Sequence, residues 1–243
     1  MNITEFDEMA SCEKSHWWFI GRRAIMDSVL NKFIHNKNNQ ILEIGCGTGG
    51  NLELLKNYGI VSAVEPDQHA ISITMGNGFL SVQKGGLPDS LPKFDKKFDL
   101  ICLFDVLEHV EDHLSGLKNC KKLLNPNGKV IITVPALKLL WSQHDEVHNH
   151  KRRYTNKEII SLVSQSGLKI VYCSYFNFFL FPNILLTRLV KALLNSKKGS
   201  DLKKQNSFFN VILKNIFSFE KYFIPRLILP IGVSIVVVAE NVD

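Results

Sequence analysis

From about residue 40 the chain alternates short apolar runs with segments of helical spacing. QILEIGCG (40–47) is a buried-strand run ending in glycines, and NLELLKNYG (51–59) has helical spacing with a glycine stop. IVSAVEPD (60–67) reads as a second strand, followed by a helix at about 68–75, a strand FLSVQKG (79–85) and a third long apolar strand, FDLICLFDV (98–106). HVEDHLSGLKNCKKLL predicts a helix closed by the turn NPNG (125–128), and GKVIITVP (128–135) predicts a strand. A helix NKEIISLVSQSG, a strand LKIVYCSYF and a last strand GVSIVVVAE (232–240) complete the pattern. Strands alternating with helices at this spacing predict an α/β fold: a doubly wound parallel sheet, covered on both faces and joined by right-handed crossovers.

In such sheets ligands sit outside the carboxyl ends of the strands. The chemistry is therefore expected at 43–50, 65–67, 85–87, 104–109 and 135–154. Ahead of the first strand, Ile25, Val29, Leu30, Phe33 and Ile34 have helical spacing after Gly21, which predicts a helix lying on the core. The preceding His16-Trp17-Trp18-Phe19 is densely aromatic, and two adjacent tryptophans cannot both point inward from a helix. One is expected to close over a ligand as a lid.

Composition narrows the class. The 243 residues are 45% apolar and 21% charged, an ordinary globular balance that excludes disordered and fibrous chains. Five cysteines, odd in number and without a CxxC pair, suit a reducing, cytoplasmic setting and exclude a zinc ribbon. The acidic N-terminus has no apolar core of a secretory signal, and no apolar run reaches spanning length. The net charge is +6, yet nine basic and two acidic residues between Arg188 and Arg226 give +7 by themselves. The rest of the chain is slightly acidic, so no nucleic-acid partner is expected.

The basic segment carries two amphipathic patterns, with Arg188, Lys191, Asn195 and Lys198 on one stripe and Asn210, Lys214, Ser218 and Lys221 on another. Cationic helices with aromatic apolar faces suit an anionic membrane surface, here through 183–223. They equally suit covering the core or pairing in a homodimer, and the pattern leaves these open.

Glu43-Ile44-Gly45-Cys46-Gly47-Thr48-Gly49-Gly50 is a glycine-rich turn between strand and helix, and Glu65 ends the next strand, where it could bind ribose hydroxyls. The same glycines satisfy the dinucleotide pattern. Glu43 argues the other way: a carboxylate ahead of the glycines opposes a pyrophosphate and favours a ligand carrying an amino group and a sulfonium. With FDLICLFDVLEHVED and NPNGKVIITVP, the segment from about 40 to 135 resembles the class I S-adenosylmethionine-dependent methyltransferases. The LEH tripeptide, the HWWF stretch and the HDExxxHxRRYT run resemble small bacterial members of the ubiquinone-biosynthesis type.

The resemblance implies a Rossmann-like seven-stranded sheet with the last strand antiparallel. It divides the chain into an N-terminal helical lid (1–38), a core (39–179), a helical insertion (180–224) and a last core strand (225–243). By position, Gly45, Cys46 and Gly47 would line the methionine moiety, with Gly49 completing the loop, and Glu43 would face its amino group directly or through water. Glu65 would bind the ribose, Pro66 would pack on adenine, Gly86 and Leu87 would meet the adenine edge, and Asp105 and Val106 would close the pocket. His109, His144 and Asp145 are the candidates for removing a proton from the acceptor. Trp17, Trp18, His148, Arg152, Arg153 and Tyr154 would line the acceptor pocket, the arginines holding an anion. His109 could instead simply bond its loop, and the basic turn could simply be solvated ahead of the Thr155 cap. His144, Asp145, His148 and His150 have no fixed helical frame for a metal, and none is expected.

The expected activity is methyl transfer to a small-molecule or lipid-linked acceptor, at oxygen. The competing expectations are a non-catalytic cofactor-binding scaffold at a membrane and a nucleic-acid methyltransferase.

Overall fold

The computed structural model describes residues 3–193 and 207–242. Two helices, α1 (Ile3–Cys12) and α2 (Trp17–Phe33), precede the alternating core. The core runs β1 (Asn39–Ile44), α3 (Leu52–Lys56), β2 (Gly59–Glu65), α4 (Gln68–Gly76), β3 (Val82–Lys84), β4 (Phe98–Phe104), α5 (His113–Leu123) and β5 (Leu124–Pro135). A short α6 (Gln143–Val147) then leads to α7 (Asn156–Gln165), β6 (Lys169–Phe176), α8 (Phe181–Leu193), α9 (Ser207–Phe219) and β7 (Ser234–Glu240).

The strands form one seven-stranded sheet in the order β3-β2-β1-β4-β5-β7-β6. β1 to β5 are mutually parallel, and β7 runs antiparallel between β5 and β6. The order reverses between β1 and β4, which opens a crevice at their carboxyl ends.

Near-continuous apolar strands place alternate residues on opposite faces, and both faces are covered. In β4, Ile101 and Leu103 join the core under α5 and α7, while Leu100, Cys102 and Phe104 join the core under α2. β7 divides likewise, Ile235 and Val237 to the first core and Val236 and Val238 to the second. All five cysteines are buried and unpaired.

The structure shortens several predicted elements. The strand expected over 79–85 is only Val82–Lys84, at the sheet edge. The helix expected from His109 begins at His113, because the Asp112 carboxylate accepts the Ser115 N–H and caps it there. That leaves 109–112 as a connection at the mouth of the crevice. At the N-terminus α1 had no clear apolar stripe to announce it, and α2 begins at Trp17, with His16 Nδ1 accepting the Trp18 N–H.

In the insertion, Asn195 and Lys198 of the first stripe, with Lys197, Asp201, Lys203 and Lys204, lie outside the described residues, as does the side chain of Lys191. α9 packs on α2, where Gly21 makes the approach possible: a Cβ there would stand 2.3 Å from a Phe217 ring carbon. Asn210 faces inward, its Oδ1 accepting the Trp17 N–H at 2.8 Å and its Nδ2 donating to Ser15 O at 2.9 Å. Phe208, Phe209 and Phe219 point outward, Phe208 being 68% exposed. The helix thus covers the core with its Asn210–Phe217 side and leaves much of its aromatic side exposed among the described residues. No described helix is long and apolar enough to cross a membrane.

Candidate functional site

The crevice opens into a cavity of about 950 Å³. Its floor is the carboxyl ends of β1, β2, β4 and β5, and α1, α2, α8 and α9 wall it in.

One end is made of strand tips. Gly45 follows β1 with φ +74°, and a Cβ there would lie 2.7 Å from Val106 Cγ2, so only glycine brings the backbone this close. The Glu65 carboxylate accepts the Gly47 N–H at 2.8 Å and the Asp67 N–H at 3.1 Å, which ties β2 to the glycine loop and leaves lone pairs for hydroxyl donors. Glu43 is fully buried behind Gly45 and Asn51 rather than in the cavity wall. Asn51 Nδ2 donates to its Oε1 at 3.0 Å, whereas Oε2 has no partner. Burial pushes the Glu43 carboxyl up to about 8, opposed by Asn51 and Arg22.

Arg22 bridges the two ends. Its guanidinium pairs with Asp105, reaches Asn51 at 3.4 Å and lies over the Trp18 ring, 4.5 Å from the centroid. Asp105 holds φ 57° at the tip of β4, fixed by Thr133, whose hydroxyl donates to its carboxylate at 3.1 Å.

The other end gathers distant residues: Glu108 and His109 after β4, His144, His148 and His150 around α6, Asn177 after β6, and Ile184, Arg188 and Leu213 from the insertion. Glu108 is fully buried, and neither carboxylate oxygen has a partner. Burial and the neighbouring Asp105 push its pKa well up. Burial and His150 push His109 down to about 4, and burial with His148 and His150 lowers His144 strongly, so these rings are neutral. Asn177, fully buried with φ 59°, has no partner for either side-chain polar atom. Its backbone N–H donates to Glu220, which also takes the Phe179 N–H at 3.0 Å and so anchors the entry to α8.

The predicted site residues divide accordingly. Gly45, Cys46, Gly47, Glu65, Pro66, Gly86, Leu87, Asp105, Val106, Trp17, Trp18, His109, His144 and His148 line the cavity. Gly49 does not: it turns the loop against Thr74 and Leu52.

Asp145 also lies outside the lining. Its carboxylate accepts from Arg153 Nε at 2.8 Å, Arg153 Nη2 at 3.0 Å and the Ser142 N–H at 2.9 Å, and pairs with His150 Nδ1 at 2.8 Å. Burial alone would raise its pKa, but the bonds from His150 and Arg153 outweigh that and hold it below the usual range. The carboxylate expected to take a proton is thus held by His150 and Arg153 outside the cavity lining.

Arg153 reaches the cavity wall, and three of its five donors go to Asp145 and to the Ala136 carbonyl, the latter at 2.9 Å. Arg152 and Tyr154 turn away, Arg152 to Glu111 and His113, and Tyr154 to the Leu107 carbonyl and His113. Both leave the expected acceptor set.

Sequence reasoning missed Arg22, Glu13, Glu108 and Asn177 as site residues. Glu13 was the least visible: it follows α1 and accepts from the buried Thr48 hydroxyl of the glycine loop. Glu108 lay in the LEH tripeptide, whose resemblance marked the segment but gave that residue no role.

A doubly wound sheet whose last strand is antiparallel, a glycine turn after β1 and an acid closing β2 define a class I methyltransferase fold. The sequence profile of the methyltransferase-domain family matches residues 18–172, more than half of the chain, and the chain belongs to that family. It is an S-adenosylmethionine-dependent methyltransferase.

Among curated proteins, the ubiquinone biosynthesis O-methyltransferase of Vibrio vulnificus is 24% identical, covering 68% of this chain and 81% of that protein. The Coxiella burnetii protein of the same name is 30% identical over 54% of this chain and 60% of its own length. Among solved structures, the methyltransferase in the Haloferax volcanii Trm112 activator complex aligns with TM-score 0.62, 14% identity and 98% coverage of both chains. Phosphoethanolamine N-methyltransferase 2 of Haemonchus contortus, solved with S-adenosylmethionine, aligns with TM-score 0.55 and 14% identity, over 90% of this chain and 52% of that one.

Proposed function

We propose that this methyltransferase acts on a hydroxyl oxygen of a small or lipid-linked acceptor. The observation that carries the reading is the division of the cavity: strand-tip backbone and carboxylates at one end, and neutral histidines beside apolar Leu180, Ile184 and Leu213 at the other. Curated relatives named ubiquinone biosynthesis O-methyltransferase support the choice of oxygen.

The residues present fit the cofactor. Gly45, Cys46 and Gly47 offer a close backbone cradle, Glu65 offers acceptors for ribose hydroxyls, and Glu43, with Oε2 unpartnered, is a carboxyl one layer behind the cradle that a bound ammonium group would ionise. Pro66, Gly86 and Leu87 would flank the adenine, and Asp105 and Val106 would separate cofactor from acceptor. When bound, S-adenosylmethionine supplies an electrophilic methyl group on a sulfonium whose thioether leaves readily. The protein's own contribution is alignment and exclusion of water. α1 and the Trp17–Trp18 pair cover the cavity, and Asn177 would hold the acceptor's polar head. A ring nitrogen of His109 or His144 would take its hydroxyl proton.

In this reading residues 1–38 are the cover, 39–179 with 225–243 the cofactor-binding core, and 180–224 the acceptor-facing insertion. The exposed aromatic side of α9, flanked by Lys214, Lys221 and Arg226, would rest on an anionic membrane and admit an apolar acceptor.

Incubation with methyl-labelled S-adenosylmethionine and fractionated cell extract tests the reading. Label is expected in an organic-soluble ether or ester. Label confined to amines, protein or nucleic acid would overturn it.

A further inference from the structure

Two segments far apart in sequence meet at the acceptor end. Glu108 and His109 leave β4, and His150 follows α6, yet one donor atom of each lies within 4.8 Å of the others. The His109 and His150 ring centroids are 4.8 Å apart. Around a four-coordinate ion with bonds of about 2.1 Å the donors stand about 3.4 Å apart, so side-chain rotations that close the present spacing by up to about 1.4 Å would bring all three donors onto one ion.

Two features distinguish this group from an incidental cluster. Neither oxygen of the fully buried Glu108 has a hydrogen-bond partner, which is costly unless a cation satisfies them. His150 Nδ1 pairs with Asp145 Oδ1 at 2.8 Å, and Asp145 is itself locked by Arg153. A carboxylate held against one ring nitrogen fixes the tautomer so that the other, Nε2, presents a lone pair, the arrangement by which proteins orient metal-ligating histidines. No metal-ligand spacing is visible along 144–150 because two of the donors come from 108–109.

We propose that Glu108, His109 and His150 bind a divalent transition-metal ion at the acceptor end of the cavity. One carboxylate with two imidazoles suits zinc, cobalt, nickel or iron(II) better than magnesium, which prefers oxygen donors. Three protein ligands leave a coordination position facing the cavity, as in catalytic metal sites. This role, though not the binding, rests on the proposed oxygen acceptor: the acceptor hydroxyl would coordinate there and lose its proton more readily, with His144 nearby to receive it. His109 would then act as a ligand rather than as the base.

The test strips the full chain with chelator and titrates it with Co²⁺, following visible ligand-field bands and equilibrium dialysis. The expected result is roughly one equivalent bound per chain, resisting excess Mg²⁺. Glu108→Gln should lower affinity by at least about tenfold. It replaces a buried carboxyl, whose pKa burial already pushes up, with an amide of nearly the same shape and should melt close to the metal-free wild type, so lost binding would not reflect unfolding. His150→Gln provides a second variant.

Absence of stoichiometric Co²⁺ binding by the wild type, or binding unchanged in both variants, would overturn the proposal. S-adenosylmethionine titration of the same samples keeps the two readings apart. Cofactor bound without metal would sink the metal site alone; metal bound without labelled ethers or esters would sink the oxygen acceptor alone.

Discussion

The two ends of the cavity are built by different means. The cofactor end consists of residues that each follow a strand, so the parallel sheet delivers Gly45, Glu65, Gly86 and Asp105 to one place once the strands pair. The acceptor end draws on α2, the β4 exit, α6, the β6 exit and the insertion, and no two neighbouring strands place its groups. Its geometry depends on side-chain bonds, chiefly Asp145 with Arg153 and His150, and Glu220 with the backbone after β6. A fold of this kind holds one ligand constant and varies the other by changing loops.

The largest expected effect breaks the acceptor end alone. Asp145→Ala strands a buried guanidinium, Arg153 being only 2% exposed in its side chain, and should cost about 3–5 kcal/mol. Thermal melting should fall by about 6–20 °C, and methyl transfer should disappear. Below the melting point, S-adenosylmethionine affinity should stay within about threefold, since Asp145 touches none of its proposed ligands. A comparable loss of cofactor affinity would show that the two ends fold as one unit.

Gly45→Val attacks the opposite end. The substitution forces a β-branched residue to φ +74° and into Val106, so the loop must move. Cofactor affinity should fall by about a hundredfold, roughly 2.8 kcal/mol, as read by calorimetry. Circular dichroism of the aromatic residues around α6 should be unchanged.

How much was legible in the sequence follows the same division. The glycine turn, Glu65, Asp105 and the β1–β5 alternation were readable because backbone conformation and strand period are local properties. Arg152 and Tyr154 were misplaced because consecutive residues of an irregular loop point in directions no period dictates. Arg153 turns to Asp145 while its neighbour Arg152 turns to Glu111. Asp145 was expected at the site and Glu108 was given no place there, for a similar reason. The charge of each was visible, but whether a bond from another element satisfied it was not. The pattern of α9 left its partner open, and the structure seats it on α2 because Gly21, nearly two hundred residues earlier, gives Phe217 room.

A proton-linked measurement sharpens the cofactor end. Because the folded Glu43 pKa of about 8 lies above its unfolded value, the folded state holds an extra proton between roughly pH 4.5 and 8. Stability contributed by the protonated group is complete below the unfolded pKa and declines as pH rises through about 8. Cofactor-free protein should therefore melt at progressively lower temperature from pH 6 to 9, and Glu43→Gln should flatten that slope. A bound ammonium group near Glu43 would favour its ionised form, so cofactor binding near neutral pH should release a proton. The calorimetric enthalpy should then depend on the ionisation heat of the buffer, and this dependence should weaken in Glu43→Gln.

The smallest effect bears on Asn177, where two explanations compete. Asparagine tolerates the left-handed φ of 59° better than most residues, which alone could account for it. Its buried amide, however, has no partner for Oδ1 or Nδ2, and leaving such groups unpaired costs about 1–3 kcal/mol. Asn177→Gly separates the two, because glycine keeps the backbone conformation and removes the amide. If the amide serves only the turn, turnover and the acceptor KM should be unchanged. If it holds the acceptor's polar head, KM for the acceptor should rise by about tenfold, roughly 1.4 kcal/mol, with cofactor affinity unaltered. Stability should move by no more than about 1 kcal/mol in either case, since relief of the unpaired amide offsets the flexibility glycine adds to the unfolded chain. An effect on acceptor KM without one on stability would show that this buried polar group is kept for a ligand, consistent with an acceptor end whose specificity comes from long-range bonds.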